Sequence, residues 1–177
     1  MTVEYRTLRE EDITRALFAA FHRRQVVTRC WRRVDGQWII REDPFIDDWS
    51  EADYATLVDC LRRTCRLGGL VLGAFAEGQL KGFVSVEAEP LGTCGQYRDM
   101  TSLHVSEECR GRGMGRALML RACDWARTHG GQKLYISAHS AVESQNFYRA
   151  MGCVAAAEPL AAHVQAEPFD CQLECPL

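Results

Sequence analysis

The 177-residue sequence predicts a mixed α/β sheet carried on a single domain, residues 1–177. Three observations predict it. Runs with helical spacing alternate with runs of β-type residues along the chain. Two Xaa-Gly pairs, Asp35-Gly36 and Glu77-Gly78, separate alternating runs as hairpin turns do. Near residue 110 an apolar strand passes into an apolar-periodic helix through three glycines at alternate positions.

The elements follow in order. Val3 to Leu8 alternates as an opening strand, and Thr7 with Glu10 gives a capping pattern for a helix through Ile13, Leu17, Ala20 and Phe21. Residues 26–49 hold the Asp35-Gly36 hairpin signal and end in the acidic pair Asp47 and Asp48. Ser50 with Asp53 caps a helix whose Tyr54, Leu57, Val58 and Leu61 share one face, and Gly68-Gly69 stops it. Leu70–Ala76 and Leu80–Glu87 read as a hairpin, followed by a third strand over Tyr97–Val105. A long helix over about Gly113–His129 leads to a strand over Lys133–Ala138. Ser140, with Glu143 three residues on, predicts a cap for a helix over Val142–Met151. Cys153–Ala157 and Phe169–Glu174 close the chain as strands.

Composition removes several function classes. A net charge of −3 disfavours a mainly electrostatic nucleic-acid binder. No run approaches the roughly 18 apolar residues of a membrane helix, and Met1 to Glu10 lack an apolar signal core, so a cytoplasmic location is expected. The nine cysteines form no CxxC pair and no zinc-type spacing with His, so reduced, mostly buried thiols and no metal are expected. Cys109 stands beside the glycine turn, where a thiolate would be stabilised.

The turn Arg110-Gly111-Arg112-Gly113-Met114-Gly115-Arg116 carries the chemistry. Glycine lets the backbone bend sharply and approach a ligand with no Cβ in the way. The first N–H groups of the following helix have no internal partner, and with the helix dipole they favour phosphate oxygens. The three arginines add charge for a pyrophosphate or a ribose phosphate. The P-loop pattern is absent, and the dinucleotide pattern fails at Arg116 and Leu118, where its last position requires a small residue.

Arg110-x-x-Gly113-x-Gly115 resembles the first signature of the GCN5-related N-acetyltransferases (GNAT family), R/Q-x-x-G-x-G/A. One helix and one strand later, Ser144-Gln-Asn146-Phe147-Tyr148-Arg-Ala-Met151-Gly152-Cys153 resembles that family's second signature, A-x-x-F-Y-x-x-x-G-F. The resemblance covers roughly Leu70 to Cys153. It implies an acyl-CoA N-acyltransferase fold: a mostly antiparallel sheet of about seven strands with about four helices. It implies an acetyl-CoA-dependent N-acetyltransferase that acts by direct attack in a ternary complex. The acceptor would be an amine, on a small molecule rather than a protein, and a homodimer is possible.

Carried over residue by residue, the resemblance gives the backbone of Arg110, Gly111, Arg112, Gly113, Met114, Gly115 and Arg116 to the pyrophosphate. It gives the backbone of Leu103, His104 and Val105 to pantetheine, and it suggests a cofactor contact from Asn146. Tyr148 aligns with the tyrosine that protonates the leaving thiolate, a step that needs a donor within reach of sulfur. Asp99, eleven residues before Arg110, stands where some members carry the general base, and Glu87 and Glu89 are rivals. The family's Asn seven residues before the Tyr is replaced by Ala141. Trp31, Trp38, Phe45 and Trp49, with Asp43, Asp47 and Asp48, suit an ammonium-bearing acceptor, or else anchor a surface hairpin. The alternative of another class is a non-catalytic acyl-CoA-binding sensor, which needs the glycine turn but not Tyr148.

Overall fold

A computed structural model describes residues 2–177. Strand β1 (Val3–Thr7) leads into two short 3-10 turns, Glu10–Asp12 and Arg15–Phe18. A helix over Ile13 to Phe21 was the expectation, and the structure corrects it. The backbone N–H of Arg9 donates to Asp12 Oδ2 at 2.9 Å, which closes the first turn early. Thr14 then starts a second turn by accepting from Leu17 N. Spacing of three suits a 3-10 turn as well as an α-helix, and here it buries Phe18 edge-on against Phe21 and Phe83, with Phe21 tilted against Phe83.

A long hairpin follows, β2 (Arg24–Val34) and β3 (Gln37–Asp48), antiparallel throughout. Its turn is the expected Asp35-Gly36, with φ of 49° and 79°, the left-handed pair that a tight hairpin demands. Helix α1 (Glu51–Arg66) begins at Ser50 with the expected reciprocal cap: Ser50 N donates to Asp53 Oδ2 and Asp53 N to Ser50 Oγ. Strands β4 (Leu70–Ala76) and β5 (Gln79–Val86) form the second hairpin, and β6 (Pro90–Leu91) is a short bridge that no sequence signal marked.

The expected strand over Tyr97–Val105 is two strands, and this correction creates the site. β7 (Tyr97–Asp99) runs parallel to β9 (Lys133–Ala138), whereas β8 (Ser102–Val105) pairs antiparallel with β5. Met100 N still donates to Tyr135 O, and Thr101 N already donates to Ser85 O. The chain therefore changes sheets at Met100-Thr101, and a wedge opens between β8 and β9. The two sheets have the orders β1-β4-β5-β8 and β10-β11-β9-β7-β6. Here β10 is Val154–Ala155 and β11 is Cys171–Pro176, both shifted or shortened from the expected closing strands.

Helices α2 (Met114–Thr128) and α3 (Val142–Ala150) cover one face, with Leu118, Met119, Ala122 and Ala126 packed on Leu72, Val84 and Ile136. Helix α1 and the 3-10 turns cover the other face of the first sheet. Helix α4 (Ala161–Ala166), not foreseen, covers the same side of the second sheet, since His163 stacks on Tyr135. Ser140 is not the cap of α3; Ala141 is, without a side-chain bond. Ser140 is drawn away by the hairpin: its carbonyl accepts from Trp31 N at 2.8 Å, and its hydroxyl accepts from Arg32 at 2.6 Å. All nine cysteines are free thiols and six are buried, Cys109 among them in the core under α2. Among the described residues, no helix is long and apolar enough to cross a membrane.

Candidate active site

The glycine turn lies at the end of β8, where the wedge meets α2. Gly111 and Gly113 have φ of 73° and 82°, so the backbone reverses through two left-handed residues. Gly115 differs: its φ is ordinary, and a Cβ there would lie 3.5 Å from Phe147, a normal contact. Among the described residues, the N–H groups of Gly111 through Arg116 meet no protein acceptor. They stand together at the N-terminus of α2, with Arg112 and Arg116 exposed beside them. Met114 contributes only backbone, because its side chain is buried against Gly82. Arg110 folds back, its Nε donating to Val105 O at 3.1 Å, so it braces the strand end.

Leu103, His104 and Val105 form the outer edge of β8, which pairs with β5 on one side and has no strand on the other. Leu103 and Val105 point to the α2 core, and His104 points to the α1 face against Phe83 and Trp49. Burial drives the His104 pKa down to about 3, so the ring is neutral at physiological pH. Its Nδ1 accepts from Arg23 Nε at 3.2 Å. Arg23 also donates to Asp47 at 2.6 Å, and its remaining Nη1 is buried without a partner.

Tyr148 sits on α3 with its ring packed on the core beside Phe147. Its hydroxyl has no protein hydrogen-bond partner among the described residues. Burial raises the phenol pKa, with smaller rises from Cys153 and Asp170 and a lowering by the Arg23 charge. A phenol held protonated, with nothing to bond, is a proton donor awaiting an acceptor. Asn146, two residues earlier, is exposed.

The expected carboxylates are placed as follows. Asp99 is buried on the α4 side, where His163 Nε2 donates to its Oδ2 at 2.7 Å. Its Oδ1 is sealed from solvent and unpartnered. That hydrogen bond raises the His163 pKa. Glu87 is tied to Thr64 Oγ1 at 2.6 Å and lies near Thr101, at the end of α1. Glu89 is exposed beyond β5. Phe147, next to Tyr148, packs against Gly115 of the glycine turn, whereas Glu87 is held at the end of α1.

The hairpin base roofs the wedge. Phe45 packs on His139 and Trp49 on His104, while Asp43 and Asp47 are neutralised by Arg32 and Arg23. Trp38 lies far along the hairpin and 43% exposed, and Trp31 lies under the Arg149 guanidinium. A cleft of about 550 Å³ beside Trp49 is lined by Arg15, His22, Arg24, Asp48 and Glu107 among others, and Tyr148 does not line it.

Sequence reasoning missed a polar chain on the α4 side of β9 and β11. The readable signal was alternation: Tyr135, Ser137, Gln172 and Glu174 interrupt strands whose other face is apolar. Leu160 N donates to the Tyr135 hydroxyl, and that hydroxyl donates to Gln172 Oε1. Gln172 Nε2 donates to Ser137 Oγ, and Ser137 donates to Asp170 Oδ2 at 3.1 Å. Burial raises the Asp170 pKa to about 6.

Comparison with known proteins agrees with this geometry. No curated protein matches the sequence. The nourseothricin acetyltransferase structure is 20% identical, with a TM-score of 0.71 over 99% of each chain. A Bacillus anthracis structure described as a streptothricin acetyltransferase, in complex with acetyl coenzyme A, is 15% identical, with a TM-score of 0.69 over 98% of this chain and 96% of that one. The PaiA N-acetyltransferase of Thermoplasma acidophilum, in complex with coenzyme A, is 16% identical, with a TM-score of 0.61 over the whole of both chains. Residues 34–153 match the acetyltransferase (GNAT) family, which takes in both the glycine turn and Tyr148, and the chain belongs to that family of acetyltransferases.

Proposed function

We propose that the protein transfers the acetyl group of acetyl-CoA to a primary amine of a small, amine-bearing molecule, by direct attack within a ternary complex. One observation carries the reading: the open N–H turn follows β8, where the chain has left the second sheet, and α3, which carries the unpartnered Tyr148 hydroxyl, packs Phe147 against Gly115 of that turn. Six uncommitted donors and the helix dipole suit a pyrophosphate, and the unpaired edge of β8 suits an extended amide chain. Acetyl-CoA supplies a thioester, whose sulfur needs a proton as it leaves.

Tyr148 is the proton donor in this reading. The N–H groups of Gly111 to Arg116 hold the pyrophosphate, while the Arg110 N–H, expected among them, is instead spent on Glu107 O, and Leu103 to Val105 align the pantetheine arm. Asp99 acts at one remove, holding His163 in orientation beside the wedge. Proteins of like fold named for nourseothricin, streptothricin and aminoglycosides act on basic antibiotics, and that class heads the acceptors to try.

Thiol release from acetyl-CoA in the presence of nourseothricin, kanamycin or 1,4-diaminobutane tests the activity. Tyr148→Phe should lower kcat by about 100-fold, the lower end of general-acid effects, with the stabilisation by acetyl-CoA unchanged. Wild-type turnover in that variant would remove Tyr148 from the chemistry and favour a binding role.

A further inference from the structure

We propose that Asp170 is the carboxylate that meets the acceptor's ammonium group and takes its proton. The inference rests on the transferase reading above and adds a residue that neither signature motif contains. Three features converge on this side chain. Its Oδ2 is fixed by Ser137, at the end of the chain Leu160–Tyr135–Gln172–Ser137, in which every bond has a defined donor and acceptor. Its Oδ1 makes no protein hydrogen bond and, unlike Asp99 Oδ1, is not sealed from solvent. Asp170 directly precedes Cys171, which pairs with Ala138, and the Ala138 and His139 carbonyls accept from Gln145 one turn before Tyr148 on α3, so its charge lies within electrostatic reach of the Tyr148 phenol.

Three other candidate carboxylates are committed elsewhere. Asp47 is paired with Arg23, Asp43 with Arg32, and Asp99 with His163. Around Asp170, α4 presents His163, with Glu167 just beyond it, and α3 presents Tyr148. The hairpin sets Arg32 over the ring of Phe169, and Cys171 follows in the chain. Burial and Glu167 disfavour the carboxylate, whereas Ser137 and His163 favour it. The result is a base poised near neutrality, strong enough to accept a proton and weak enough to release it to water.

The proton and electron count closes. The ammonium gives one proton to Asp170 Oδ1. The neutral nitrogen forms a C–N bond to the thioester carbon, the C–S bond breaks with its electron pair on sulfur, and Tyr148 protonates that sulfur. The second proton leaving the new amide nitrogen restores the phenol.

The test uses the full chain with acetyl-CoA and 1,4-diaminobutane, followed by thiol release from pH 5 to 9. Wild-type kcat/KM should fall on the acid side with a midpoint near 6. Asp170→Asn should lose about 100-fold in kcat and lose that limb, while acetyl-CoA still raises its melting temperature. Ser137→Ala removes a bond to the charged form and should move the limb to higher pH. In parallel, carboxyl carbon NMR should show Asp170 titrating near 6, and lower once diaminobutane is added to the CoA complex.

Asp170→Asn turning over at the wild-type rate, or an Asp170 that titrates below 4.5 and ignores the amine, would overturn the assignment. If diaminobutane is not acetylated, the NMR titration decides. A wild-type protein that acetyl-CoA fails to stabilise would instead overturn the transferase reading itself.

Discussion

Asp170 and His163 show how single residues trade stability for chemistry. Asp170 is a carboxyl group whose pKa is raised in the folded state, so the native protein takes up its proton near pH 6 while the unfolded chain waits until about pH 4. Stability from this group therefore grows as pH falls from 7 toward 4. At neutral pH the charge is a cost. Asp170→Asn should melt higher than wild type at pH 7.5, by on the order of 1 kcal/mol, and the gap should close by pH 5. Equal melting at both pH values would show that Asp170 is freely solvated. His163 has a raised imidazole pKa, so its bond to Asp99 stabilises fully below about pH 6.5 and fades as pH rises through the raised value. Asp99→Asn should accordingly destabilise more at pH 6 than at pH 8.5, measured by chemical denaturation. Tyr148 was legible in the sequence because it sits in a spaced motif. Asp170 was not, because its importance comes from Ser137 and Gln172, which reach it only through the pairing of β9 with β11.

At the scale of elements, the hairpin of β2 and β3 is the least supported part. A two-stranded ribbon is marginal alone, and this one exposes Ile39, Ile40 and Ile46. Its base is tied by Asp47 to Arg23 and by Arg24 to Glu107, and its middle meets the start of α3. Arg32 binds Asp43, Ser140 Oγ and the carbonyl of Trp31, and Cys30 bridges to Ala141. Arg32→Ala should loosen this contact, and amide exchange should rise several-fold in residues 24–48 with little change in α2. The hairpin turn was readable from Asp35-Gly36, since few other pairs accept two left-handed residues. Its docking was not, because Ser140 carries the same signature whether it caps a helix or receives Arg32. The helix expected after residue 10 failed for a related reason: spacing of three fits a 3-10 turn too. The glycine turn belongs to this scale as well. Gly113→Ala places a Cβ at φ of 82° and should cost about 1 kcal/mol in stability and weaken acetyl-CoA binding together.

Across the whole molecule, the decisive feature is a strand that changes sheets. Residues 97–105 read as one β run, and nothing local marks Met100-Thr101 as the point of divergence. The split is tertiary: Asp99 O accepts from Glu87 N while Met100 N donates to Tyr135 O, so two sheets compete for the same segment. Core packing around Leu118, Met119 and Ile136 holds both sheets on α2 and keeps the wedge open. Where the sheet folds back on α1, Gly69 has no room to spare: a Cβ there would lie 2.5 Å from Val86 O and 2.7 Å from Thr64 Cγ2. Gly69→Ala should destabilise by about 1–3 kcal/mol, read as a lowered melting temperature with acetyl-CoA binding retained.

The central claim is that this wedge with its glycine turn binds acetyl-CoA. Melting the protein with acetyl-CoA, CoA, ATP and NADPH at matched concentrations tests it most directly. A ligand at 100 times its Kd adds roughly 2.7 kcal/mol, a shift of several degrees. The account predicts stabilisation by acetyl-CoA and CoA alone. No shift with either, or an equal shift with ATP, would contradict it.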